Sequence, residues 1–308
     1  MRKEYQIYST DDKLGHPQRQ RRRPWHERLW LNLKKAPFTA WFGMIVTSFY
    51  IVIAIGAPLI APFGETEIFS VSFSPWDNTH ILGTDQIGRD ILSRLIYGAR
   101  NTMGLALVTT TLSFVIGGFW GLLAAIMGRW LDQIISRFVD VLMAIPSLIF
   151  ALMLLAVLGS TPMNLILIIA LLDSTRVFRL TRAVSMNVVV TDYVEVARLR
   201  GEGFGWVMRR EILPNIMPTL IAEFGLRFSF VFLTLTALSY LGLGIQPPTA
   251  DWGSMVRDTS SLIQFAQYDI NSALTPLLPA GTIALLVIAI NFVVDWVLQK
   301  TSGLHDDQ

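Results

Sequence analysis

This sequence predicts an all-α membrane protein with six transmembrane helices and both termini in the cytoplasm. The 308 residues are 52% hydrophobic and 16% charged, and the mean hydropathy is +0.49. Soluble domains carry about 25% charged residues, so a soluble protein would need more polar surface than this chain offers. Long stretches without any charge recur along the chain, and Lys and Arg are concentrated on one side of them. Together these three observations predict the fold class.

The charge-free stretches are residues 36–64, 101–128, 141–172, 228–250 and 270–294. Each exceeds the about 20 helical residues that a bilayer core requires. The third is too long for one span and contains Gly159-Ser160-Thr161-Pro162, a cluster that favours a turn. Dividing it there gives two spans, and Pro146 is expected to kink the first of them.

The predicted transmembrane domain therefore covers residues 38–298, between cytoplasmic tails at 1–37 and 299–308. Its six predicted spans are residues 38–62, 101–128, 138–158, 162–182, 215–244 and 274–298.

The distribution of positive charge tests this count. With six spans, twenty Lys and Arg lie on the side that holds both termini. The opposite side holds only Arg89, Arg94, Arg100 and Arg257. An excess of Lys and Arg marks the cytoplasmic side, so both termini are expected inside. A single span across residues 141–182 would instead place the arginine-rich segment 193–214 outside.

The N-terminal tail carries a basic run, QRQRRRP, at residues 18–24. A basic run just before a first span anchors topology, so we expect no nucleic-acid partner. Trp25, Leu29 and Leu33 recur at helical spacing and predict a short interfacial helix, with an unstructured tail as the alternative. The first apolar run begins near Phe38, too far into the chain for a cleaved signal peptide.

Residues 193–214 read YVEVARLRGEGFGWVMRREILP, a polar segment between two predicted spans. Asp192, with Glu195 three residues later, predicts a helix N-terminus. The glycines at 201, 203 and 205 predict a sharp turn, followed by a second short helix that Pro214 should end. The composition fits either a rigid element that a partner can move or an ordinary cytoplasmic loop.

The spacing of Glu195, Ala197, Gly201 and Leu213-Pro214 resembles the EAA motif of ABC-importer permeases. Val196 replaces the middle alanine, and Glu211 stands where the motif has isoleucine. Three further segments resemble one branch of that family, the second permease subunit of dipeptide, oligopeptide and nickel importers. They are residues 80–94 (HILGTDQIGRDILSR), 137–146 (RFVDVLMAIP) and 240–253 (YLGLGIQPPTADWG). The four motifs occur in the family's order and cover most of the chain from about residue 80 onward.

This resemblance implies a type I ABC-importer permease fold in the bacterial inner membrane. It implies a homologous second permease, two ABC ATPase subunits, a periplasmic or lipid-anchored solute-binding protein and membrane lipid as partners. ATP and Mg would be bound by the ATPase subunits, this chain would bind no cofactor or metal, and peptides or similar small solutes would be the cargo. The residues that the resemblance assigns to ATPase coupling are Glu195, Ala197, Arg198, Gly201, Gly205, Leu213 and Pro214.

Residues 80–94 are expected in a periplasmic loop, as an exposed lattice of ion pairs that serves either docking or structure. The motif residues are Gly83, Asp85, Gly88, Arg89, Asp90 and Arg94. Residues 242–252, stiffened by Pro247-Pro248, are expected to form a rigid rim on the same side.

Ionisable and amide side chains within spans are costly, and they usually face a bundle interior or a water-filled cavity. Glu223 and Arg227 lie four residues apart and are expected to neutralise each other. The full set is expected either to line the translocation path or to lock helices together: Asp173, Glu223, Arg227, Asn291 and Asp295.

The function most consistent with the sequence is a non-catalytic transport subunit. The chain has no P-loop pattern, so ATP hydrolysis by that mechanism is excluded. An ion-coupled secondary transporter acting alone is the alternative, because it could use the intramembrane carboxylates. A membrane-embedded hydrolase is disfavoured, because all four histidines lie outside the predicted spans and cysteine is absent.

Overall fold

The computed structural model describes residues 36–69, 71–265, 267–268 and 270–301, and within these ranges the regular structure is helical. A helix satisfies its backbone polar groups internally, as the lipid interior requires. The helices are α1 (Phe38–Ile60), α2 (Ile91–Met127), α3 (Arg129–Ala144), α4 (Ser147–Leu158), α5 (Pro162–Val189), α6 (Asp192–Leu199), α7 (Phe204–Val207), α8 (Leu213–Tyr240), α9 (Trp252–Thr259) and α10 (Ile270–Thr301). A π-helical turn (Met208–Ile212) joins α7 to α8, and a 3-10 turn (Ser260–Phe265) follows α9. The predicted interfacial helix at Trp25, Leu29 and Leu33 lies outside the described residues.

Within the ranges that the structure describes, four helical segments are long and apolar enough to cross a membrane. They are α1, α2, the 37-residue run Phe204–Tyr240, and Ala273–Lys300 within α10. The pair α3 and α4 supplies a fifth if it counts as one span, although the two helices are bent by 85°. Helix α5 is 28 residues long but carries four charged residues and is not among them. The six spans and the cytoplasmic termini stay predictions.

Two breaks fall where the sequence predicts them. The chain leaves the helical path at Ile145, before Pro146, so the kink expected at this proline is confirmed. Helix α4 ends at Gly159, whose φ is 84°, and the Thr161 side chain accepts a hydrogen bond from the N–H of Asn164 at 3.2 Å to begin α5. The turn expected at residues 159–162 is therefore confirmed.

Helices α2 and α5 form the most extensive helix–helix contact among the described residues, and two glycines make it close. A Cβ on Gly117 would lie 2.4 Å from the carbonyl oxygen of Ser174, and one on Gly121 would lie 2.9 Å from that of Phe178. Small residues four apart let two membrane helices approach to backbone contact. Gly117 and Gly121 therefore form a seam between α2 and α5.

An aromatic cluster ties α9 to the membrane helices. The Trp252 ring is fully buried and makes edge contacts with Tyr50 of α1, at 5.7 Å, and Phe232 of α8, at 6.1 Å. Its indole N–H donates to the carbonyl of Leu95 in α2 at 2.8 Å. A buried indole needs such an acceptor, so this single side chain fixes three helices relative to α9.

Ion pairs attach α3 to α5. Arg182 Nη2 lies 2.6 Å from Asp132 Oδ2, and Arg179 Nη2 lies 2.5 Å from Asp140 Oδ1. Asp140 belongs to the segment 137–146 singled out in the sequence, and the structure gives it this interhelical partner.

We expect Gly117→Ala to lower the thermal midpoint of the purified protein. The added methyl would meet the Ser174 carbonyl, and overpacking of this kind costs about 1–3 kcal/mol. The neighbouring Gly118→Ala is the matched control, because a Cβ there meets no atom within 4 Å. Thermal unfolding in detergent measures both, and an equal midpoint for the two variants would contradict the seam.

Candidate functional site

Residues 191–214, the arginine-rich element, begin with helix α6. Asp192 was expected to be the N-cap, but this is wrong by one residue, because Thr191 is the N-cap and Asp192 is the first helical residue. The Thr191 hydroxyl donates to the carbonyl of Val188 at 2.6 Å instead of capping α6. Asp192 and Glu195 still lie in the first turn, where carboxylates are favourable.

Helix α6 ends in a Schellman motif built around Gly201. The N–H of Glu202 donates to the carbonyl of Ala197 at 3.2 Å, and the N–H of Gly201 donates to that of Arg198 at 2.9 Å. Gly201 has φ of 81°, in the left-handed region that glycine adopts without strain. The expected turn is confirmed, and this glycine is required by its backbone angle rather than by lack of space.

Pro214 does not end the second helix, contrary to the sequence prediction. Helix runs without a break from Phe204 to Tyr240, and the π-helical turn just before the proline explains why. A proline in an α-helix clashes with the carbonyl four residues earlier, and it lacks an N–H. In the wider turn the N–H of Leu213 bonds to the carbonyl of Met208, five residues back. The arginine-rich element is thus continuous with a membrane-crossing helix.

The inner face of the arginine-rich element is anchored by apolar side chains. Val194 and Ala197 of α6 are fully buried, and they pack in one cluster with Val207, Ile212 and Leu122 of α2. Side chains from the C-terminal half of α5 and the N-terminal half of α8 also contact this cluster. The element is therefore seated on three long helices, as a rigid unit would need to be.

The outer face of the element combines positive charge with apolar surface. Among the residues assigned to coupling, Glu195, Arg198, Gly201, Gly205 and Pro214 are exposed, Leu213 is half-buried and Ala197 is buried. The sequence analysis missed the apolar part of this face: Tyr193, Val196, Leu199, Phe204 and Trp206 are exposed. Leu199, at 80% exposed, is the most prominent of these. The helical spacing of Tyr193, Val196 and Leu199 was the available signal, because it places them on the face of α6 opposite the buried Val194 and Ala197.

A second group of expected residues meets between α2, α5 and α8. Ser113 donates to Asp173 Oδ2 at 3.1 Å, and Arg227 Nη1 lies 3.8 Å from Asp173 Oδ1. Arg227 Nε donates to Glu223 at 2.7 Å, so the expected pairing of these two residues is observed. Arg176 also approaches Asp173, at 3.9 Å. These charges compensate one another, as buried charges must.

A cavity of about 20 Å³ adjoins Asp173 and Arg176, large enough for about one water molecule. Asn291 is half-buried and Asp295 exposed on α10, and neither belongs to the ion pairs around Asp173. Within the described ranges, no group of three or more His, Asp or Glu side chains is arranged to hold a metal ion.

Residues 61–69, 71–90 and 241–259 form the cap, which lies where α1 ends and α2 begins. The charged groups of residues 80–94 were expected to form an exposed lattice, and this is wrong: they are buried. The motif side chains with 5% exposure or less are Asp85, Arg89, Asp90 and Arg94. The remaining motif residues, Gly83 and Gly88, have φ of 74° and 85° at tight turns.

The two carboxylates of the motif, Asp85 and Asp90, have different partners. Asp85 Oδ2 lies 2.7 Å from Arg89 Nε and 3.6 Å from Arg94 Nε. Asp90 caps α2, accepting from the Ser93 N–H at 2.8 Å, and lies 3.0 Å from His80 Nδ1. Asp85 therefore holds two buried arginines, and Asp90 organises the start of a helix.

The two cap segments, far apart in the sequence, are hydrogen-bonded to each other and to α2. Arg94 Nη1 donates to the carbonyl of Pro248 at 3.2 Å, and Asn101 donates to that of Ala250 at 2.9 Å. Glu65 accepts from both Asn101 and the Ala250 N–H. The sequence analysis missed Glu65 and Asn101, whose shared partner Ala250 lies 185 and 149 residues further along the chain.

Asp251 completes the junction as the N-cap of α9. Its carboxylate accepts from the Ser254 N–H at 2.8 Å and from the Thr102 hydroxyl at 3.0 Å. Burial raises the pKa of Asp251 above its ordinary value, while the hydrogen bonds from Ser254, Ser239 and Thr102 act in the opposite direction. Asp251 therefore connects the start of α9 to α2 through its two carboxylate oxygens.

The chain is similar to one family of transport proteins and to several individual permeases. Residues 117–300 match the family described as "Binding-protein-dependent transport system inner membrane component". The chain is 36% identical to the di/tripeptide transport system permease protein DppC of Pseudomonas aeruginosa, over 82% of this chain and 84% of that protein. It is 34% identical to the dipeptide transport system permease protein DppC of Alkalihalophilus pseudofirmus, over 88% and 87%. It is 30% identical to the glutathione transport system permease protein GsiD of Pectobacterium atrosepticum, over 89% of each.

Replacing Asp85 by Asn should destabilise the protein strongly. Arg89 and Arg94 would lose their shared counter-charge in a buried site, and breaking a buried pair costs about 3–5 kcal/mol. Asp140→Asn is the matched control, because its pair with Arg179 is half exposed and such pairs contribute about 0–1 kcal/mol. Thermal unfolding of the purified proteins compares the two, and equal losses would contradict the role given to Asp85.

Proposed function

Because the chain belongs to the family of binding-protein-dependent inner-membrane transport components, we propose how this permease couples ATPase motion to transport. The chain is a multi-pass inner-membrane protein and the permease subunit of an ABC importer. Its family is one of transport subunits without catalysis, and this sets aside the ion-coupled carrier that the sequence left as an alternative. The proposal concerns the arginine-rich element, the cargo and the partners.

The observation that carries the proposal is the continuity of the arginine-rich element with α8. Val194 and Ala197 fix α6 in an apolar seat, and the helix then continues from Phe204 to Tyr240. A displacement applied to the element therefore moves a membrane-crossing helix with it. Residues Glu195, Ala197, Arg198, Gly201, Gly205, Leu213 and Pro214 act in this coupling, Ala197 as anchor and the exposed members at the surface.

We propose that the outer face of the element docks on an ABC ATPase subunit. Leu199, Val196 and Tyr193 offer an apolar patch, and the exposed arginines surround it. An apolar centre with a polar rim is typical of protein–protein interfaces. Two such ATPases would bind ATP and Mg, and a homologous second permease would present the equivalent element to the second one.

The proposed topology has six spans and both termini in the cytoplasm, with α5 as a span despite its charges. Three of its charged side chains find carboxylate or arginine partners on α3 and α8, which lowers their cost in the membrane. This arrangement places the arginine-rich element inside and the cap outside, in agreement with the positive-inside rule.

We propose peptides or similar small solutes as the cargo, delivered to the cap by a periplasmic or lipid-anchored solute-binding protein. The names of the relatives support peptides, since they include dipeptide, di/tripeptide and glutathione permeases. The buried ion pairs of the cap suit a firm docking platform better than an adaptable surface.

Asp173, Glu223 and Arg227 are proposed to lock α2, α5 and α8 together rather than to bind cargo. The contacts of these three side chains are made to neighbouring helices or to the next turn of the same helix. The adjoining cavity has room for about one water molecule, which is too little for a solute. Asn291 and Asp295, which lie apart from this network, stay candidates for the translocation path or for helix contacts with the second permease.

Gly201→Val tests the coupling role. A β-branched residue forced into the left-handed region costs about 1–2 kcal/mol, which should distort the turn between α6 and α7 and abolish most uptake. Gly203→Val is the control, because Gly203 also has open space around it but has φ of −69° and ψ of 157°, which valine adopts readily. Uptake of radiolabelled dipeptide and the amount of protein in the membrane are measured together. Normal uptake by Gly201→Val would count against the coupling role.

The purified chain alone should show no ATP hydrolysis, and activity should appear only with its ATPase partners. The sequence lacks the phosphate-binding loop that such hydrolysis needs. Phosphate release is measured for the single subunit and for the assembled importer at equal permease concentration. Turnover by a verified single-subunit preparation would overturn the assignment as a non-catalytic subunit.

A further inference from the structure

An apolar groove of about 680 Å³ runs between α1, α2, α8 and α10 and takes no part in the proposed coupling. Its walls include Ile51, Ile55, Leu107, Phe228 and Ile290. We propose that this groove binds one phospholipid of the membrane, with an acyl chain along the walls and the phosphate at Arg100. The proposal is independent of the cargo and of the coupling mechanism.

The charge in the groove is the first argument. Arg100 is the one charged residue in its lining; it is exposed and forms none of the ion pairs found in the described part of the chain. It is also the last charge before the charge-free stretch 101–128, so it lies at the boundary of the apolar part of α2. A guanidinium binds phosphate with paired N–H donors, and a phospholipid has its phosphate at this boundary.

The length of the groove is the second argument. On α1 it extends from Thr47 to Pro58, eleven residues or about 16 Å at about 1.5 Å per residue. This is about half of a hydrocarbon core of about 30 Å, and therefore the depth of one leaflet. Phe224, which lines the groove, packs its ring against that of Phe114 at 5.1 Å between centroids. A helix of a partner protein crossing the whole membrane would need a groove about twice as long.

The third argument is the open space at Gly104 of α2. A Cβ added there meets no atom within 4 Å, so the groove has free space beside a residue that has no side chain, one turn beyond Arg100. An acyl chain entering beneath a headgroup at Arg100 would pass over this position. The length of the groove, the free space at Gly104 and the single cation at Arg100 together indicate an occupant with one polar end and one long apolar tail.

Photo-crosslinking to defined lipids tests the proposal in the assembled importer. The complex is reconstituted with phosphatidylglycerol that carries a diazirine on one acyl chain, and the labelled peptides are identified by mass spectrometry. We expect label on the groove segments of α1 and α2. Gly104→Leu should occupy part of the groove and reduce that label about tenfold, the effect of losing the burial of about two methylenes. Gly118→Leu, in the same helix and also in open space, should leave it unchanged.

A second comparison isolates the phosphate. A diazirine diacylglycerol, which has the same tails but no phosphate, should label the groove more weakly than the phospholipid. Arg100→Gln should reduce phospholipid labelling about tenfold, as expected for one charge-assisted hydrogen bond, and leave diacylglycerol labelling unchanged. This arm stays informative if Gly104→Leu fails to assemble.

Three results would overturn the proposal. Label spread evenly over all lipid-facing helices, and unaffected by Gly104→Leu, would mean ordinary solvation by lipid. Equal labelling of the wild-type groove by the phospholipid and the diacylglycerol would show that the phosphate does not contribute to binding. Efficient disulfide cross-linking between Leu107→Cys and a cysteine in the second permease, with no lipid label, would show that a partner helix fills the groove.

Discussion

The contact between α2 and α5 is the packing constraint on which the other parts of this molecule depend. Gly117 and Gly121 bring the two backbones together, and no side chain larger than hydrogen fits at Gly117. This approach lets Ser113 reach Asp173 at 3.1 Å, and so positions the carboxylate that receives Arg227 from α8. At one end of the same helix pair lies the cluster that seats α6, and at the other end α2 supplies Arg94 and Asn101 to the cap.

The permease therefore consists of a stiff helical pair with a polar structure at each end. The arginine-rich element is held mainly by apolar contacts and presents its charge outward. The cap is the reverse, because Asp85, Arg89 and Asp90 are buried within it and are paired there. Burying several charges is costly unless every one is paired, and Asp85 illustrates the solution by serving two arginines. The two ends differ in physical character, as expected for surfaces that meet different partners.

Local signals predicted a large part of this structure, and the failures came from remote partners. Pro146, Gly159 and Gly201 act through their own backbone geometry, so the sequence located each break correctly. The cap was expected to be exposed because the residues that cover Asp85 and Arg94 lie about 150 positions later in the chain. Pro214 was expected to end a helix because nothing in the sequence announces a π-helical turn. The groove beside Arg100 requires the packing of four helices and has no sequence signature.

The remote pairing in the cap also bears on how the protein is made. The hydrogen bond from Arg94 to Pro248 joins residues 154 positions apart, and that from Asn101 to Ala250 joins residues 149 apart. A chain that ends before residue 248 lacks the carbonyls of Pro248 and Ala250, which accept hydrogen bonds from Arg94 and Asn101 in the finished protein. Non-local closure of this kind is slow, because the entropy of a long loop must be lost first. The junction between the cap and α2 is consequently completed only after every helix up to α8 has been synthesised.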